Sequence, residues 1–484
     1  MRVNLYALAT VVFVGASIAA DTSTKICPVL GPAFPAPVGL SSEKLFQAAV
    51  GSFEDALEKA LETDLSTNGP GQFNTTTMSI GMFSTSEDGL LYQRHYTDPA
   101  VRNSSFGTQQ VDSRSIYRLG SIGKLLTVYS FLISVGDQRF NDPIAKYIPE
   151  LVRDSKTVKS QNGMTPDWNE TTLGQLASHM SGLSHDYLLH GLITEPALFR
   201  SGCSPMYSNN GFELLGLALE RITGSKVGDL FTEGIVRPLA LHDTSYAVPK
   251  STQNGVIPGN TTVSGWANDA GILGPAGAPA QTRRWMKPVT FTAGINMAVG
   301  APWEIYRAQV GGRTVDLYTK DGGWGAYATL LVLVPDFKFG FSILTANLIG
   351  SNVGAKNVYF IAEMLGSSIL PALENVARQQ ANATFAGHYT SIASGLNSSL
   401  TVLVDIQPAL RVENWVSNGT KIFEEVIGLD STSGDYIDFR IQPNNLYSGN
   451  EVGFTRAWQI YRPLRHQLFD MGRDGSDNLR EHWS

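Results

Sequence analysis

A serine and a lysine stand three positions apart in the segment YRLGSIGKLL, residues 117–126. A serine hydroxyl is a weak nucleophile unless a neighbouring base accepts its proton. Positions i and i+3 of a helix share one face, so we expect Ser121 and Lys124 to be neighbours in space. A lysine buried in the apolar run that follows would have its charged form disfavoured, which would make its amine a usable base near neutral pH. The alternative interpretation is a capping serine followed by an exposed lysine, and the pair alone does not exclude it.

Two later segments contain side chains that suit the same chemistry. MYSNNGF places Tyr207 and Asn209 two positions apart, and YTKDGGWGAY places Lys320 two positions before Gly322. Together with Ser-x-x-Lys, these segments resemble the three signatures of the serine β-lactamase and penicillin-binding-protein superfamily, and they occur in the same order. The resemblance covers roughly residues 45–375. The spacing of the motifs is similar to that of the class C β-lactamase and esterase branch.

The resemblance implies a role for each of these residues. Ser121 would be the acylated nucleophile and Lys124 its proton partner. Tyr207 would share in accepting the serine proton and would help to activate the deacylating water, since a phenol held between two lysines can have its anionic form favoured. Asn209 would orient the substrate and Lys124. Lys320 would hold Tyr207 electrostatically.

The third motif also implies an oxyanion hole and a departure from the family pattern. The backbone N–H groups of Ser121 and Gly323 would hold the oxyanion, and Gly322 and Asp321 would border the substrate. Asp321 stands where the family usually has serine or threonine, whose hydroxyl commonly contacts an anionic substrate group; a carboxylate would repel one. If Asp321 points into the cleft, we expect neutral or cationic esters and amides to be better substrates than penicillin-like acids. If it points away on its strand, that expectation fails.

The chemistry that these residues predict is hydrolysis of an ester, lactone or amide through an acyl-serine intermediate. An acyltransferase, or a tailoring enzyme of small-molecule (secondary metabolite) biosynthesis, is an alternative on the same scaffold. A catalytically inactive binding or structural homologue is a third interpretation, which only the altered third motif supports. No cofactor is expected, and the histidines do not form the His-x-His-x-Asp-His cluster that a zinc-dependent lactamase requires.

The composition fits a globular enzyme whose partner is a small-molecule ester or amide. The chain has 484 residues, of which 43% are hydrophobic and 16% are charged, and its net charge is −7. Acids and bases are interspersed, so no basic surface for nucleic acid or an anionic membrane is indicated. The oligomeric state is left open.

The beginning of the chain predicts secretion. Arg2 is followed by an apolar stretch and by small residues before DTSTK, a pattern typical of a signal peptide over residues 1–20. An anchor helix is the alternative, although the run is short for a membrane span. Cys27 and Cys203 form a candidate disulfide in an oxidising compartment, and the sequence leaves both pairing and free thiols open. Glycan acceptor triplets support the secretory route. They begin at Asn74, Asn103, Asn169, Asn260, Asn382, Asn397 and Asn418.

The apolar periodicity predicts an α+β architecture, because helices and strands do not alternate regularly. The resemblance implies a β-lactamase/transpeptidase-like antiparallel sheet flanked by helices. The expected domains are a signal peptide over 1–20, a catalytic domain over 21–378 and a smaller, mostly β domain over 379–484. The predicted elements are a helix within 41–65, strands at 76–84 and 89–96, helices at 121–135 and 211–223, and strands at 314–320, 327–335 and 339–347.

Overall fold

A computed structural model of the chain describes most of its length in two compact units. Among the described residues, the larger unit contains Ala36–Val310 and Thr314–Val376, and the smaller contains residues 31–35, Gly311–Arg313 and the part of the chain from Ala377 to Tyr461. The predicted signal peptide and Cys27 lie outside the described residues. The described ranges are 31–62, 73–157, 166–185, 197–249, 251–268, 285–348, 351–426, 439–450 and 453–461.

The larger unit is built on an eight-stranded antiparallel sheet. Its strand order is β2-β1-β8-β7-β6-β5-β4-β3. The central strands are rich in Val, Ile, Leu and Phe, as buried strands require. The strands are β1 Thr76–Ser84, β2 Leu90–Tyr96, β3 Thr290–Phe291, β4 Met297–Val299, β5 Glu304–Val310, β6 Arg313–Trp324, β7 Tyr327–Val334 and β8 Phe339–Asn347.

Helices cover both faces of this sheet. One face packs on the first and last helices, α1 and α8, through residues such as Phe53 and Ile361. The other face meets α3 through Ile122, Leu125 and Tyr318. The helices are α1 Lys44–Glu62, α2 Pro99–Arg102, α3 Gly123–Ser134, α4 Glu150–Thr157, α5 Leu173–Ala177, α6 Asn209–Thr223, α7 Val227–Phe231 and α8 Ser351–Phe385.

The smaller unit contains a second antiparallel sheet. A compact apolar cluster that includes Phe34, Val402 and Leu410 forms its core. The strands are β9 Gly387–Thr390, β10 Ser399–Leu403, β11 Leu410–Ser417, β12 Thr420–Lys421, β13 Arg440–Asn450 and β14 Gly453–Tyr461. A smaller, mostly β C-terminal domain was predicted, and the structure contains one.

The predicted α+β fold is confirmed, with one correction at the third motif. The apolar pattern predicted a strand that ends at residue 320 and leaves DGGWGA as the connection, whereas β6 continues through Trp324 and the chain turns only at Gly325–Ala326. In the described part of the chain, no helix combines the length and the apolar character that crossing a membrane would take.

Candidate active site

Ser121 lies in the short 3-10 turn Gly120–Ile122, which runs directly into α3. Lys124 follows in the first turn of α3, and its Nζ donates a hydrogen bond of 2.9 Å to Ser121 Oγ. Lys124 is only 8% exposed, so the alternative of an exposed lysine is wrong. The predicted helix start therefore does bring the hydroxyl and the amine together.

Tyr207 reaches the same hydroxyl from another part of the chain. It precedes Ser208, whose side chain accepts a hydrogen bond from Gly211 N–H and caps α6. The phenol of Tyr207 is hydrogen-bonded to Ser121, and Lys124 Nζ lies 5.0 Å from the centroid of the tyrosine ring. The structure thus brings three side chains from two distant segments to one point.

The phenol of Tyr207 is flanked by two lysines, as expected, but its anionic form is not favoured. Lys320 Nζ lies 5.1 Å from the ring centroid, close to the 5.0 Å of Lys124. Burial nevertheless raises the pKa of Tyr207 above its ordinary value, and it outweighs the lowering effects of Lys320 and of the hydrogen bond to Ser121. The expectation of a favoured phenolate is therefore wrong, and Tyr207 is protonated near neutral pH.

Two glycines allow the turn that carries Ser121 and strand β6 to approach each other closely. A Cβ atom built on Gly120 would stand 2.7 Å from Gly323 N, and one built on Gly322 would stand 2.9 Å from Ser121 N. Gly120 also has a φ of +55°, which a residue with a side chain rarely adopts. The backbone amides of Ser121 and Gly323 therefore belong to two directly facing segments. Gly323 is exposed and Ser121 is half-buried, so the cleft between them is open to solvent.

Asp321 does not point toward Ser121. Alternation along β6 places Lys320 on the face that carries Tyr318 and α3, and Asp321 on the face that carries Leu317 and α8. The Asp321 carboxylate accepts a hydrogen bond of 2.8 Å from the hydroxyl of Tyr359 on α8. The expectation that Asp321 acts from within the cleft therefore fails.

Asn209, the asparagine of the second motif, is the first residue of α6 and is half-buried. Its backbone N–H donates a hydrogen bond of 3.0 Å to the carbonyl of His185. Its role in orienting the substrate and Lys124 stays a prediction.

Glu304, at the start of β5, is a site residue that no motif contains. Its Oε1 lies 2.5 Å from Lys320 Nζ, and the Nζ of Lys320 also lies 2.8 Å from Asp321 Oδ1. The only sequence signal for Glu304 is an acidic residue at the start of EIYRAQV, a segment with partly alternating polarity. The contact between Glu304 and Lys320 arises because β5 and β6 are neighbours in the sheet, which the sequence does not reveal.

His179 also contacts the site, although its segment SHMSG suggests only a structural role. Its ring stacks on that of Tyr207, with centroids 4.3 Å apart, and its Nδ1 accepts a hydrogen bond from Ser208 N–H. Its Nε2 has no hydrogen-bond partner among the described residues. Burial, followed by the charges of Lys320 and Lys124, lowers the pKa of His179 well below its ordinary value. The imidazole is therefore neutral, with its proton on Nε2.

The predicted surface modifications fall at accessible places. Cys203 is exposed, and whether it pairs with Cys27 stays open because Cys27 lies outside the described residues. The side chain of Asn74 is likewise outside the description. Six acceptor asparagines are exposed, namely Asn103, Asn169, Asn260, Asn382, Asn397 and Asn418.

No metal site is evident where the structure can be examined. The described residues contain no group of three or more histidine, cysteine or acidic side chains arranged to hold an ion.

Comparison with known proteins places this site in a family. Residues 93–364 match the protein-family model described as Beta-lactamase, and residues 377–483 match the one described as Beta-lactamase-like-like, C-terminal domain. The first match spans more than half of the chain, so the protein belongs to the β-lactamase family, a family of serine hydrolases.

Individual proteins are similar to this chain over most of its length. The chain is 27% identical to the Beta-lactamase-like protein of Arthroderma benhamiae, and the alignment covers 82% of this chain and 74% of that protein. It is 22% identical to Probable hydrolase M10 of a Phoma species, with 77% and 71% covered. Among solved structures, a class C β-lactamase aligns with a TM-score of 0.49 at 16% identity, covering 68% of this chain and 98% of that one.

Proposed function

We propose that this protein is a secreted serine hydrolase that cleaves an ester, lactone or amide through an acyl-serine intermediate. The observation that carries the proposal is the 2.9 Å hydrogen bond from Lys124 Nζ to Ser121 Oγ, with the phenol of Tyr207 bonded to the same hydroxyl. A hydroxyl with an amine and a phenol beside it meets the chemical requirement for an activated nucleophile. Membership in a family of serine hydrolases supports the same assignment.

Acylation would begin with attack of Ser121 Oγ on the substrate carbonyl carbon. Lys124, in its amine form, takes the hydroxyl proton while the C–O bond forms, and the carbonyl oxygen becomes an oxyanion. The amides of Ser121 and Gly323 donate hydrogen bonds to that oxygen, which is the largest expected contribution to lowering the barrier.

Collapse of the tetrahedral intermediate would release the leaving group. The bond between the carbonyl carbon and the leaving group breaks, and the leaving group takes the phenolic proton of Tyr207. A protonated Tyr207 suits this step, because it can donate without first acquiring a proton. The proton that Lys124 accepted then returns to Tyr207, so both groups are restored beside the acyl-serine.

Deacylation would repeat these steps with water as the nucleophile. Water attacks the ester carbonyl from the open side of the cleft and gives its proton to the same pair of groups. The Ser121 oxygen leaves and takes a proton from that pair, which regenerates the enzyme. An alcohol or amine in place of water would give acyl transfer instead.

A substrate panel tests this proposal. Nitrocefin, short-chain 4-nitrophenyl esters and D-amino-acid amides are incubated with wild type, with Ser121→Ala and with Ser79→Ala. Ser79 is a matched control, because its Oγ lies 2.9 Å from His95 Nδ1 and so also sits beside a base. We expect turnover of every accepted substrate to vanish in Ser121→Ala and to persist in Ser79→Ala.

The same panel separates the competing interpretations. Ester turnover that survives in Ser121→Ala would contradict the proposed function. Addition of an alcohol or amine acceptor distinguishes hydrolysis from acyl transfer, since only a transferase forms the acylated acceptor as its main product.

A further inference from the structure

Lys320 is enclosed between Tyr207 and two carboxylates. Its Nζ lies 5.1 Å from the ring centroid of Tyr207, 2.5 Å from Glu304 Oε1 and 2.8 Å from Asp321 Oδ1. The second Glu304 oxygen, Oε2, accepts a hydrogen bond of 3.4 Å from the backbone N–H of Asp321. Glu304 therefore fixes both the lysine and the strand that carries it.

The carboxylates, and not the ammonium, are the part of this group that meets solvent. The Lys320 side chain is 0% exposed, whereas those of Glu304 and Asp321 are 21% and 40% exposed. Asp321 stands two residues before Gly323, whose backbone faces Ser121 across the cleft. The ammonium of Lys320, on the face of β6 that carries Tyr207, is therefore compensated by the two carboxylates beside it.

The net charge of the cluster formed by Lys320, Glu304 and Asp321 depends on whether Glu304 is ionised. Burial opposes the charge of Lys320, but Asp321 and Glu304 together raise the pKa of that lysine well above its ordinary value. Burial opposes the ionisation of Asp321 too, but the charge of Lys320 holds the pKa of Asp321 at about 2. Burial and the charge of Asp321 raise the pKa of Glu304 to about 7. The three side chains are neutral in sum while Glu304 is protonated and carry one negative charge once it ionises.

The other titratable groups that interact with Glu304 do not alter this balance near neutral pH. They are the phenols of Tyr306 on the same strand, Tyr359 on α8 and Tyr207 before α6. Burial raises the pKa of each of them, so all three stay uncharged.

We propose that Glu304 is a specificity-determining residue that, together with Asp321, withdraws the positive charge of Lys320 from the cleft, so that the enzyme rejects acyl substrates bearing an anionic group. The inference rests on the proposed hydrolase function and names the class of substrate that this site disfavours. It differs from the sequence expectation, because the carboxylates act by compensating Lys320 and not by pointing at the substrate. Burial keeps Tyr207 protonated, and the charges of Asp321 and Glu304 act in the same direction.

Two esters of nearly equal shape and different charge test this inference. They are 4-nitrophenyl hemiglutarate, which is anionic, and 4-nitrophenyl 5-methylhexanoate, which is neutral. We expect wild type to favour the neutral ester in kcat/KM, and Glu304→Gln to raise the anionic-to-neutral ratio about tenfold, as removal of one nearby charge would. Glu304→Asp should keep the wild-type ratio, because it keeps the charge. The ratio cancels effects that both esters share.

A matched control uses the other ion pair between the same two strands. Arg307 Nε on β5 lies 3.2 Å from Asp316 Oδ1 on β6, away from Lys320. Asp316→Asn removes a carboxylate from the same strand as Asp321, and it should leave the ratio unchanged. Asp321→Asn is a second test of the cluster, and it should also raise the ratio.

The pH dependence tests the inference without any variant. In wild type the anionic-to-neutral ratio should fall as pH rises through about 7, because Glu304 then ionises. Glu304→Gln should lack that fall. A wild-type ratio that is flat with pH, or a preference for the anionic ester, would overturn the inference. If neither ester is turned over and a fluorescent alkyl phosphonate does not label Ser121, the proposed function is overturned instead.

Discussion

Gly120 approaches the backbone of Gly323 so closely that a Cβ atom at position 120 would stand 2.7 Å from the amide nitrogen of Gly323. Two backbones can meet in this way only without a side chain between them. The close approach joins the turn that carries Ser121 to the strand that carries the third motif. The proposed oxyanion hole depends on this junction, just as the proposed proton transfers depend on the side chains of Ser121, Lys124 and Tyr207.

Gly120→Ala should therefore abolish most activity. The added methyl group would push the Gly323 amide away from the oxyanion position, and the loss of one such donor typically lowers kcat by about a hundredfold or more. The left-handed backbone at this position adds a cost of about 1–2 kcal/mol to folding. Ester turnover and the thermal midpoint measure the two effects. Gly51→Ala is the control, because a Cβ at that helical glycine meets nothing within 4 Å, and it should keep full turnover.

Tyr207→Phe should retain the fold and lose catalysis. The ring would still pack between Lys124 and His179, while the proton donor to the leaving group would be gone. Loss of one general acid–base group typically costs about 10²–10⁴-fold in rate. Steady-state kinetics and thermal melting would check this. A variant within a few-fold of wild-type kcat/KM would exclude the phenol from the proton transfers.

His179→Asn tests whether the stacked imidazole positions Tyr207. Asparagine tolerates the left-handed backbone, where His179 has a φ of 59°, but it cannot stack on the phenol. We expect kcat to fall more than KM changes, because substrate contacts remain. The pH limits of activity should stay where they are, since the buried imidazole is already neutral. A displaced pH limit would instead indicate that His179 transfers protons itself.

The same substitution has a consequence for stability against acid. The pKa of His179 is lowered in the folded state, so the unfolded chain binds a proton that the folded one does not once the pH falls below the ordinary value of about 6.5. The stability that the neutral imidazole contributes is present above that pH, and it is lost at about 1.4 kcal/mol per pH unit below it. Denaturant unfolding at pH 8, 6 and 5 should show a smaller decline for His179→Asn. Parallel declines would contradict the assignment of a buried neutral imidazole.

Secretion and glycosylation are tested together by expression in a eukaryotic secretory host. We expect the protein in the medium, with a mature start near residue 21 and a mass that falls on treatment with peptide N-glycosidase. The exposed positions of acceptors such as Asn103 and Asn260 permit attachment without unfolding. A product that stays in the cell with its first 20 residues intact would contradict the proposal.

The sequence predicted those elements whose apolar pattern is regular. Strand β1 alternates through Met78, Ile80 and Met82, which are buried. The amphipathic α6 has a capping serine before it and Gly224 after it, in the left-handed conformation that ends a helix. The motif side chains were also found, because Ser-x-x-Lys and Tyr-x-Asn are local patterns.

Other parts of the fold have no local signature. The 35-residue helix α8 went unpredicted, since Pro371 and scattered glycines and serines interrupt its pattern; packing of its apolar face on the sheet overrides them. The extension of β6 through Asp321–Trp324 depends on its continued pairing with β7, in which Trp324 lies opposite Tyr327. The enclosure of Lys320 by Glu304 depends on the pairing of β5 with β6, which neighbouring residues in the sequence do not reveal.

The most direct test of the account is covalent labelling of the purified, full-length protein with a fluorescent alkyl phosphonate, followed by peptide mass spectrometry. We predict one phosphonate per chain, on the peptide that contains Ser121. Labelling should be absent in Ser121→Ala and retained in Ser79→Ala. A folded protein that takes up no label, or that carries it on another residue, would contradict the claim that Lys124 and Tyr207 activate Ser121.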